Sequence, residues 1–133
     1  PNSLLLAKYL KHIIPGLLVA YPIVNKNGFE MDFFAETESL NVNEWGIHEP
    51  LPSQLILPEQ MDAILVPLLG FDMQGQRIGF GKGFYDRYFA RCAKNLRRIG
   101  ISYFEPLPFI QDTHQFDVPL TQCITPWTSY EFQ

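Results

Sequence analysis

The chain has 133 residues, the size of one domain, and 47% of them are hydrophobic while 18% are charged. This balance excludes a disordered chain, and the net charge of −4 argues against nonspecific binding to nucleic acid or to a membrane surface. No apolar run approaches the roughly 18 residues that a transmembrane helix needs. The two cysteines, Cys92 and Cys123, form no CxxC motif, which favours a reduced, cytoplasmic protein over a disulfide scaffold.

The first third of the chain predicts one helix followed by two strands. Residues 3–14 carry apolar side chains at helical spacing, and Pro15 ends the helix. The expected inner stripe of this helix consists of Leu6, Leu10, Ile13 and Ile14. The apolar run 17–24 predicts a buried strand, and a turn at 25–28 leads to a second, more exposed strand at 29–35.

The middle of the chain carries the pattern of a βαβ unit. Residues 36–59 show no periodic pattern of hydrophobic residues and predict a long ordered loop with one helical turn. A loop of this length is usually functional. Residues 63–69 are continuously apolar and predict a central strand covered on both faces. A glycine-rich loop, a helix at 84–96, a strand at 98–103 and a last short strand near 122–125 follow. Strand, helix and strand in this order indicate a parallel or mixed sheet covered by helices.

The glycine-rich loop at the start of the 84–96 helix is the main candidate for a ligand site. Gly79, Gly81 and Gly83 alternate there, and glycine lets the backbone adopt positive φ and approach a ligand closely. The first N–H groups of a helix are unpaired and its dipole is positive at that end, so the loop favours phosphate groups. Lys82 adds a mobile cation for the terminal phosphates. Glycine alternation alone is equally compatible with a tight turn that binds nothing.

Charged residues on both sides of the loop extend this interpretation. Arg77 can clamp a phosphate through two parallel hydrogen bonds, or it can pair with a nearby carboxylate. Asp72 and Asp86 offer carboxylate oxygens for Mg²⁺; their alternative roles are to cap a turn and to complement the helix dipole. The loop matches neither GxxxxGK[ST] nor GxGxxG, so it is not one of the two common nucleotide-binding loops.

The segment 69–87, LGFDMQGQRIGFGKGFYDR, resembles the signature of the 5-formyltetrahydrofolate cyclo-ligase family. A GI-x-EP element at 46–50, a Pro-x-x-x-Asp lead-in at 58–62, and the pair of His114 and Asp117 extend the resemblance over nearly the whole chain. The chain corresponds to the C-terminal two-thirds of the family. A missing N-terminal part, with a basic helix and a first strand, is therefore expected to precede it.

The resemblance implies an architecture and an activity. It implies a single domain over 1–133 with a three-layer α/β/α fold and a mostly parallel central sheet. It also implies that ATP and Mg²⁺ are used to close 5-formyltetrahydrofolate into 5,10-methenyltetrahydrofolate, with release of ADP and phosphate. The expected partners are these small molecules alone, without nucleic acid or membrane, in a cytoplasmic monomer or weak homodimer.

The resemblance also implies roles for individual residues. Lys82 and Arg77 are the expected catalytic residues, with Lys82 stabilising the transferring phosphoryl group, and Asp86 and Asp117 correspond to magnesium ligands. The expected ATP and phosphate contacts are Arg77, Gly79, Phe80, Gly81, Lys82, Gly83, Phe84 and Tyr85, of which Phe80 has no expected catalytic role. The expected substrate contacts are Trp45, Gly81, Lys82, Gly83 and Phe84, with Trp45 packing on the folate.

Two other classes of function remain open at this point. The first is a non-catalytic relative that binds nucleotide or folate, which tight binding without cyclisation would identify. The second is a different enzyme of similar fold, such as a sugar-phosphate isomerase or a coenzyme-A transferase, which would need a carboxylate base or a glutamate nucleophile. Such an enzyme runs without ATP hydrolysis, so ATP dependence separates it from the ligase.

Overall fold

The computed structural model describes residues 3–25, 30–35, 40–42, 48–50, 54–79, 83–110 and 117–132. The chain divides into two compact units, one formed by Pro1–Val24 and Asp32–Ile56 and the other by Asn25–Met31 and Leu57–Gln133. That the whole of 1–133 acts as one domain stays a prediction. The predicted turn at 25–28 lies, apart from Asn25, outside the described residues.

The first unit combines one helix with short strands. It holds α1 (Ser3–Ile13), most of β1 (Ala20–Asn25) and β2 (Glu30–Ala35), and all of β3 (Leu40–Val42), β4 (His48–Pro50) and β5 (Leu55–Ile56). The strands β1, β2 and β5 form one sheet, in which β2 and β5 run antiparallel, and β3 pairs antiparallel with β4. The segment predicted as a long loop at 36–59 therefore contains three short strands, which its polar and proline-rich composition concealed. The predicted helical turn in it is confirmed as a 3₁₀ turn at Pro58–Gln60.

The predicted helix is confirmed over Ser3–Ile13, but its buried face is narrower than the sequence indicated. Ala7 is buried, whereas Ile13 and Ile14, both assigned to the inner stripe, are exposed. The helix ends with Lys11 and His12 in its last turn, where positive charge complements the dipole.

The exposure of the first two strands is the reverse of the prediction. In β1, predicted as buried, Ile23 is 59% exposed and Val24 is also exposed. In β2, predicted as the more exposed strand, Met31 and Phe33 are buried on alternate positions. Both segments are apolar, so composition alone could not assign them to an inner or an outer position.

The second unit contains a mixed sheet and holds most of the predicted site. Its elements are β6 (Ala63–Pro67), β7 (Gly70–Phe71), β8 (Arg77–Ile78), α2 (Phe84–Phe89), β9 (Arg97–Ile101), β10 (Gln122–Ile124) and β11 (Ser129–Glu131). The sheet order is β11-β10-β9-β6, with β6, β9 and β10 parallel and β11 antiparallel to β10. The parallel pair β6 and β9, joined through α2, confirms the predicted βαβ unit. β11 is a strand that the sequence analysis missed.

The strand β6 is not the doubly covered central strand that was predicted. It lies at one edge of the sheet as described, with Ile64 and Val66 buried on one face and Leu65 exposed on the other. Pro67 is compatible with this position because proline has no N–H for a ladder and is confined to edge strands.

The helix α2 is half as long as predicted, ending at Phe89 where the sequence pattern continued to Leu96. After Ala90 the chain continues in tight turns, with the amide of Arg91 bonded to the carbonyl of Tyr88 and that of Cys92 to Phe89. These turns preserve the predicted burial: Tyr88, Phe89 and Leu96 are buried. The predicted outward positions Arg87, Arg91, Lys94 and Asn95 are exposed.

Candidate functional site

The described part of the chain contains most of the predicted site residues. Arg77, Gly79, Gly83, Phe84, Tyr85, Asp86 and Asp117 are described. Trp45, Phe80, Gly81 and Lys82 lie outside the described residues, as do Gly46 and Ile47 of the GI-x-EP element and His114. The arrangement that follows is therefore the base of the glycine loop, not its tip.

Arg77 and Asp86 form an ion pair across the two ends of the glycine loop. Arg77 Nη2 donates to Asp86 Oδ1 over 2.8 Å, and the side chains are only 8% and 23% exposed. Pairing is required here because a charge that is largely removed from water is unfavourable without a partner. The ion pair fixes the start of α2 against the start of β8, and we refer to this paired arrangement on the two sides of residues 79–83 as the closed base of the glycine loop.

A backbone segment from the far end of the chain lies against this pair. The amide of Val118 donates to Asp86 Oδ1 over 3.0 Å, and Arg77 Nη1 donates to the carbonyl of Val118 over 2.8 Å. Leu120 donates to the carbonyl of Gly75 over 2.8 Å. The 117–121 segment is thereby attached through Val118, the residue after Asp117, to both residues of the ion pair.

The ring of Phe89 packs against Arg77 of the ion pair and against a second arginine, Arg98. The guanidinium carbons of Arg77 and Arg98 lie 5.4 and 5.9 Å from the centre of the Phe89 ring. At these distances the negative face of the ring attracts a guanidinium. Burial lowers the pKa of Arg98, and the nearby positive charge of Arg77 lowers it further. Sequence analysis missed Arg98, although alternation along β9 requires that one of Arg97 and Arg98 faces inward.

The entry into α2 requires glycine at position 83. Gly83 has φ +70°, the left-handed region, and its carbonyl accepts from the amide of Arg87 over 3.1 Å. A Cβ at this position would lie 2.9 Å from Arg87 Nη1, whereas no atom of the described residues lies within 4 Å of a Cβ at Gly79. The two ends of the loop therefore differ, since the backbone at Gly83 is conformationally constrained and Gly79 has no close neighbour in the described part of the chain.

The two aromatic residues that follow Gly83 are both half-buried and pack on different neighbours. Tyr85 lies 6.1 Å from Phe89, ring centre to ring centre, and Phe84 lies under the guanidinium of Arg87 at 5.2 Å. Burial raises the pKa of the Tyr85 hydroxyl, and the positive charge of Arg77 opposes that shift. Tyr85 is therefore neutral over the physiological range.

The dipole of α2 is a weaker feature than the sequence indicated. With six residues, α2 has fewer aligned peptide units than the predicted helix at 84–96. Any anion held at the loop would therefore rely more on loop amides and cationic side chains.

Asp72 is a structural residue, and its alternative as a magnesium ligand is wrong. The side chain is fully buried, and Oδ1 accepts from the amides of Gln74 and Gln76 over 2.9 and 3.0 Å. Oδ2 accepts from the amide of Ile110 over 3.0 Å. Both oxygens are thus occupied in holding the β7–β8 turn and a distant loop, so this carboxylate cannot reach a metal ion.

Asp86 and Asp117 offer the donor type that magnesium prefers, since this ion binds one or two carboxylates and completes its shell with water and phosphate oxygens. Asp86 uses Oδ1 for its bonds to Arg77 and Val118 and retains partial exposure, so a second oxygen remains for a metal. The described residues contain no group of three or more potential metal-ligating side chains. In the same described ranges, neither helix has the length and apolar content to cross a membrane.

Comparison with known protein families relates the whole arrangement to one enzyme family. Residues 5–126 match the model of the 5-formyltetrahydrofolate cyclo-ligase family. The 5-formyltetrahydrofolate cyclo-ligase of Mycoplasma genitalium is 41% identical over 69 residues, covering 51% of this chain and 42% of that protein. The Escherichia coli K12 protein of the same name is 30% identical over 120 residues, covering 87% of this chain and 65% of the relative. The chain thus spans less than two-thirds of the curated relatives' length.

Solved structures give a similar result. The 5,10-methenyltetrahydrofolate synthetase of Aquifex aeolicus superposes with a TM-score of 0.67 and 30% identity, covering 98% of this chain and 64% of that chain. The enzyme of the same name from Mycoplasma pneumoniae gives a TM-score of 0.64 and 29% identity, covering 87% of this chain and 59% of that chain. The mixed α/β fold described above is therefore the fold of these synthetases over the shared part.

Proposed function

Because the chain belongs to the 5-formyltetrahydrofolate cyclo-ligase family, we propose that it carries the ATP- and Mg²⁺-dependent closure of 5-formyltetrahydrofolate to 5,10-methenyltetrahydrofolate. The observation that carries this proposal is the closed base of the glycine loop. There Arg77 pairs with Asp86, and the backbone of Val118, the residue after Asp117, bonds to both. A cation and a carboxylate of the signature segment 69–87 are thus joined to the backbone next to a second carboxylate-bearing residue.

The reaction needs a leaving group that a formamide does not provide. Transfer of the γ-phosphoryl group of ATP to the formyl oxygen gives ADP and an activated imino-phosphate. The amine N10 then attacks the formyl carbon, loses its proton, and expels phosphate to close the ring. The protein's task in this sequence is to hold the phosphoryl group in line and to offset its negative charge.

Residues of the glycine loop perform this task. Lys82 stabilises the transferring phosphoryl group with its ammonium. Backbone amides of the loop 79–85 bind the phosphates, and Gly79, which has no close neighbour in the described part of the chain, allows a phosphate to approach the main chain. Arg77 supports the site through its ion pair with Asp86, so we assign it a contribution to catalysis through the position of that carboxylate.

Asp86 and Asp117 would hold the magnesium ion of the nucleotide. When bound, this ion offsets charge on the phosphate oxygens. The chain's own contribution is the orientation of the carboxylates. Arg77 and the Val118 amide fix Asp86 Oδ1, which leaves Oδ2 as the oxygen for a metal. An oriented carboxylate of this kind binds metal more tightly than a freely rotating one.

The remaining features of the proposal rest on the family alone. We propose that Trp45 packs on the folate and that Gly81, Lys82, Gly83 and Phe84 contact the substrate. We also propose a three-layer α/β/α architecture with a mostly parallel central sheet, and a cytoplasmic monomer or weak homodimer. Its partners would be small molecules, not nucleic acid or membrane.

A stoichiometry measurement tests the proposed reaction. Purified full-length protein should form one ADP and one phosphate for each methenyl product, which absorbs in the near ultraviolet. Omission of ATP should abolish the product, and removal of Mg²⁺ with a chelator should do the same. Tight binding of ATP or folate without any product would instead indicate a non-catalytic relative, and product formed without ADP would contradict the proposed phosphoryl transfer.

A further inference from the structure

The side chain of Arg98 bonds to the 117–121 segment at a point that neither the family signature nor the proposed reaction uses. Arg98 Nε donates to the carbonyl of Pro119 over 2.7 Å, and Nη1 donates to the carbonyl of Leu96 over 3.2 Å. Among the residues that the structure describes, Arg98 makes no ion pair. Its guanidinium therefore donates hydrogen bonds to carbonyl oxygens and packs on the face of the Phe89 ring.

The backbone of Arg98 binds the same segment. The amide of Thr121 donates to the carbonyl of Arg98 over 2.8 Å, and the amide of Arg98 donates to Thr121 Oγ1 over 2.8 Å. Pro119 has no N–H, so its carbonyl is its only main-chain hydrogen-bonding group. That carbonyl is the one that Arg98 Nε binds. Arg98 thus fixes the segment on the far side of Pro119, as Arg77 and Asp86 fix it at Val118.

The two arginines together hold the two residues that follow Asp117. Asp117 is one residue before Val118 and two before Pro119, and consecutive Cα atoms are held about 3.8 Å apart. A movement of the Pro119 carbonyl therefore alters the backbone that carries Asp117. The Val118–Pro119 peptide is also stiff, because proline restricts the residue before it.

We propose that Arg98 is a positioning residue, which holds the 117–121 segment through the Pro119 carbonyl and so fixes the backbone from which Asp117 takes part with Asp86 in binding a divalent cation. This inference rests on the proposed function. A forked guanidinium suits the role because it binds two carbonyls in fixed directions while its flat face packs on Phe89. A lysine at this position would reach one carbonyl at most from a flexible stem.

The test is cation affinity in full-length protein, measured with Mn²⁺ as the probe by electron paramagnetic resonance in the presence of ADP. Arg98→Gln should weaken Mn²⁺ binding about tenfold, the lower end of the effect of removing a residue that orients a metal ligand. Arg98→Lys should fall between Arg98→Gln and the wild type. Arg97→Gln is the matched control, because it removes the same charge from the exposed neighbour and should leave Mn²⁺ binding unchanged.

In the cyclisation assay, Arg98→Gln should raise the Mg²⁺ concentration for half-maximal rate more than it lowers the rate at saturating Mg²⁺.

The outcomes separate this role from a purely structural one. If Arg98→Gln melts at a lower temperature but binds Mn²⁺ as the wild type does, the positioning role is wrong. If Arg98→Gln does not fold, the Mn²⁺ affinity of Arg98→Lys tests the positioning role in the same way. Asp117→Asn should lose Mn²⁺ binding directly. If it does and Arg98→Gln does not, only the role of Arg98 fails, whereas unchanged binding in Asp117→Asn would overturn the proposed metal pair and the role of Arg98 with it.

Discussion

Arg77 and Asp86 are nine positions apart in sequence, yet Arg77 Nη2 and Asp86 Oδ1 lie 2.8 Å apart at the base of the glycine loop. Asp86 Oδ1 also accepts from the amide of Val118. One carboxylate oxygen therefore joins the start of α2, the start of β8 and the 117–121 segment. The position of this oxygen makes Arg77 and Asp86 structural residues as well as candidates for catalysis and for metal binding, and these roles can be separated by experiment.

Removal of Arg77 alone should destabilise the fold. Arg77→Met leaves Asp86 largely buried without its charge partner, and we expect a loss of about 2–3 kcal/mol, slightly below the range for fully buried pairs. The double variant Arg77→Met/Asp86→Asn removes both charges and should recover about 1–2 kcal/mol of that loss. Urea unfolding of Arg77→Met, of Asp86→Asn and of the double variant measures the coupling free energy between the two side chains. Additive losses would show that the two side chains do not interact in solution.

The two described glycines of the loop should respond differently to alanine. Gly83→Ala forces a left-handed backbone on a residue with a side chain, and we expect a loss of about 1–2 kcal/mol in the free energy of unfolding. Gly79→Ala meets no atom of the described residues within 4 Å and should leave stability within about 0.5 kcal/mol of the wild type. If Gly79 approaches a phosphate, its alanine variant should raise the KM for ATP. Equal stability losses in the two variants would contradict the different backbone requirements.

Asp72 should be essential for stability and irrelevant to chemistry. Asp72→Ala leaves three amide donors, of Gln74, Gln76 and Ile110, without their acceptor, and we expect a loss of about 3 kcal/mol or more. Asp72→Asn keeps one acceptor oxygen but turns an N–H₂ group toward a donor, so its loss should be smaller but substantial. Chemical denaturation gives both values. A folded Asp72→Ala variant of normal stability with altered Mg²⁺ dependence would restore the metal-ligand interpretation.

Stability should decline on the alkaline side because of a buried thiol. Burial raises the pKa of Cys123 from 9.0 to about 11. Between these values the unfolded chain loses a proton that the folded chain keeps, so the free energy of unfolding falls as pH rises through this window and is fully retained below it. Tyr85, whose pKa is also raised, adds to the decline at higher pH. Urea midpoints measured from about pH 8 to about pH 10.5 should fall less steeply in Cys123→Ala than in the wild type. Parallel slopes would exclude Cys123 as the cause.

The sequence predicted the parts of the fold that depend on local patterning. The helix α1, the order β6, α2, β9, and the inward residues Tyr88, Phe89 and Leu96 follow from hydrophobic periodicity. The sequence did not predict that β6 is an edge strand, because a short continuous apolar run does not distinguish one covered face from two. Nor did it predict where α2 ends, since the tight turns after Ala90 keep the same residues inward.

For the site, the motif supplied the candidate residues, but their mutual contacts depend on tertiary structure. Arg77 and Asp86 were each expected to face a ligand, and their ion pair was only one alternative. Sequence spacing carried no information on Val118, which is 32 residues from Asp86 and bonds to it through a backbone amide. Asp72 shows the reverse case, since its turn-capping role was readable from the residues that follow it, Gln74, Gly75 and Gln76.

The most direct test of the central claim is the rate of methenyl product formation by full-length protein carrying Lys82→Ala, measured with saturating ATP and Mg²⁺. Loss of a cation that stabilises the transferring phosphoryl group should lower kcat by about a hundredfold or more. Lys94→Ala, at an exposed lysine beyond α2, is the matched control and should keep the wild-type rate. A Lys82→Ala protein that turns over at the wild-type rate, or a wild-type protein that forms product without ATP, would contradict the account.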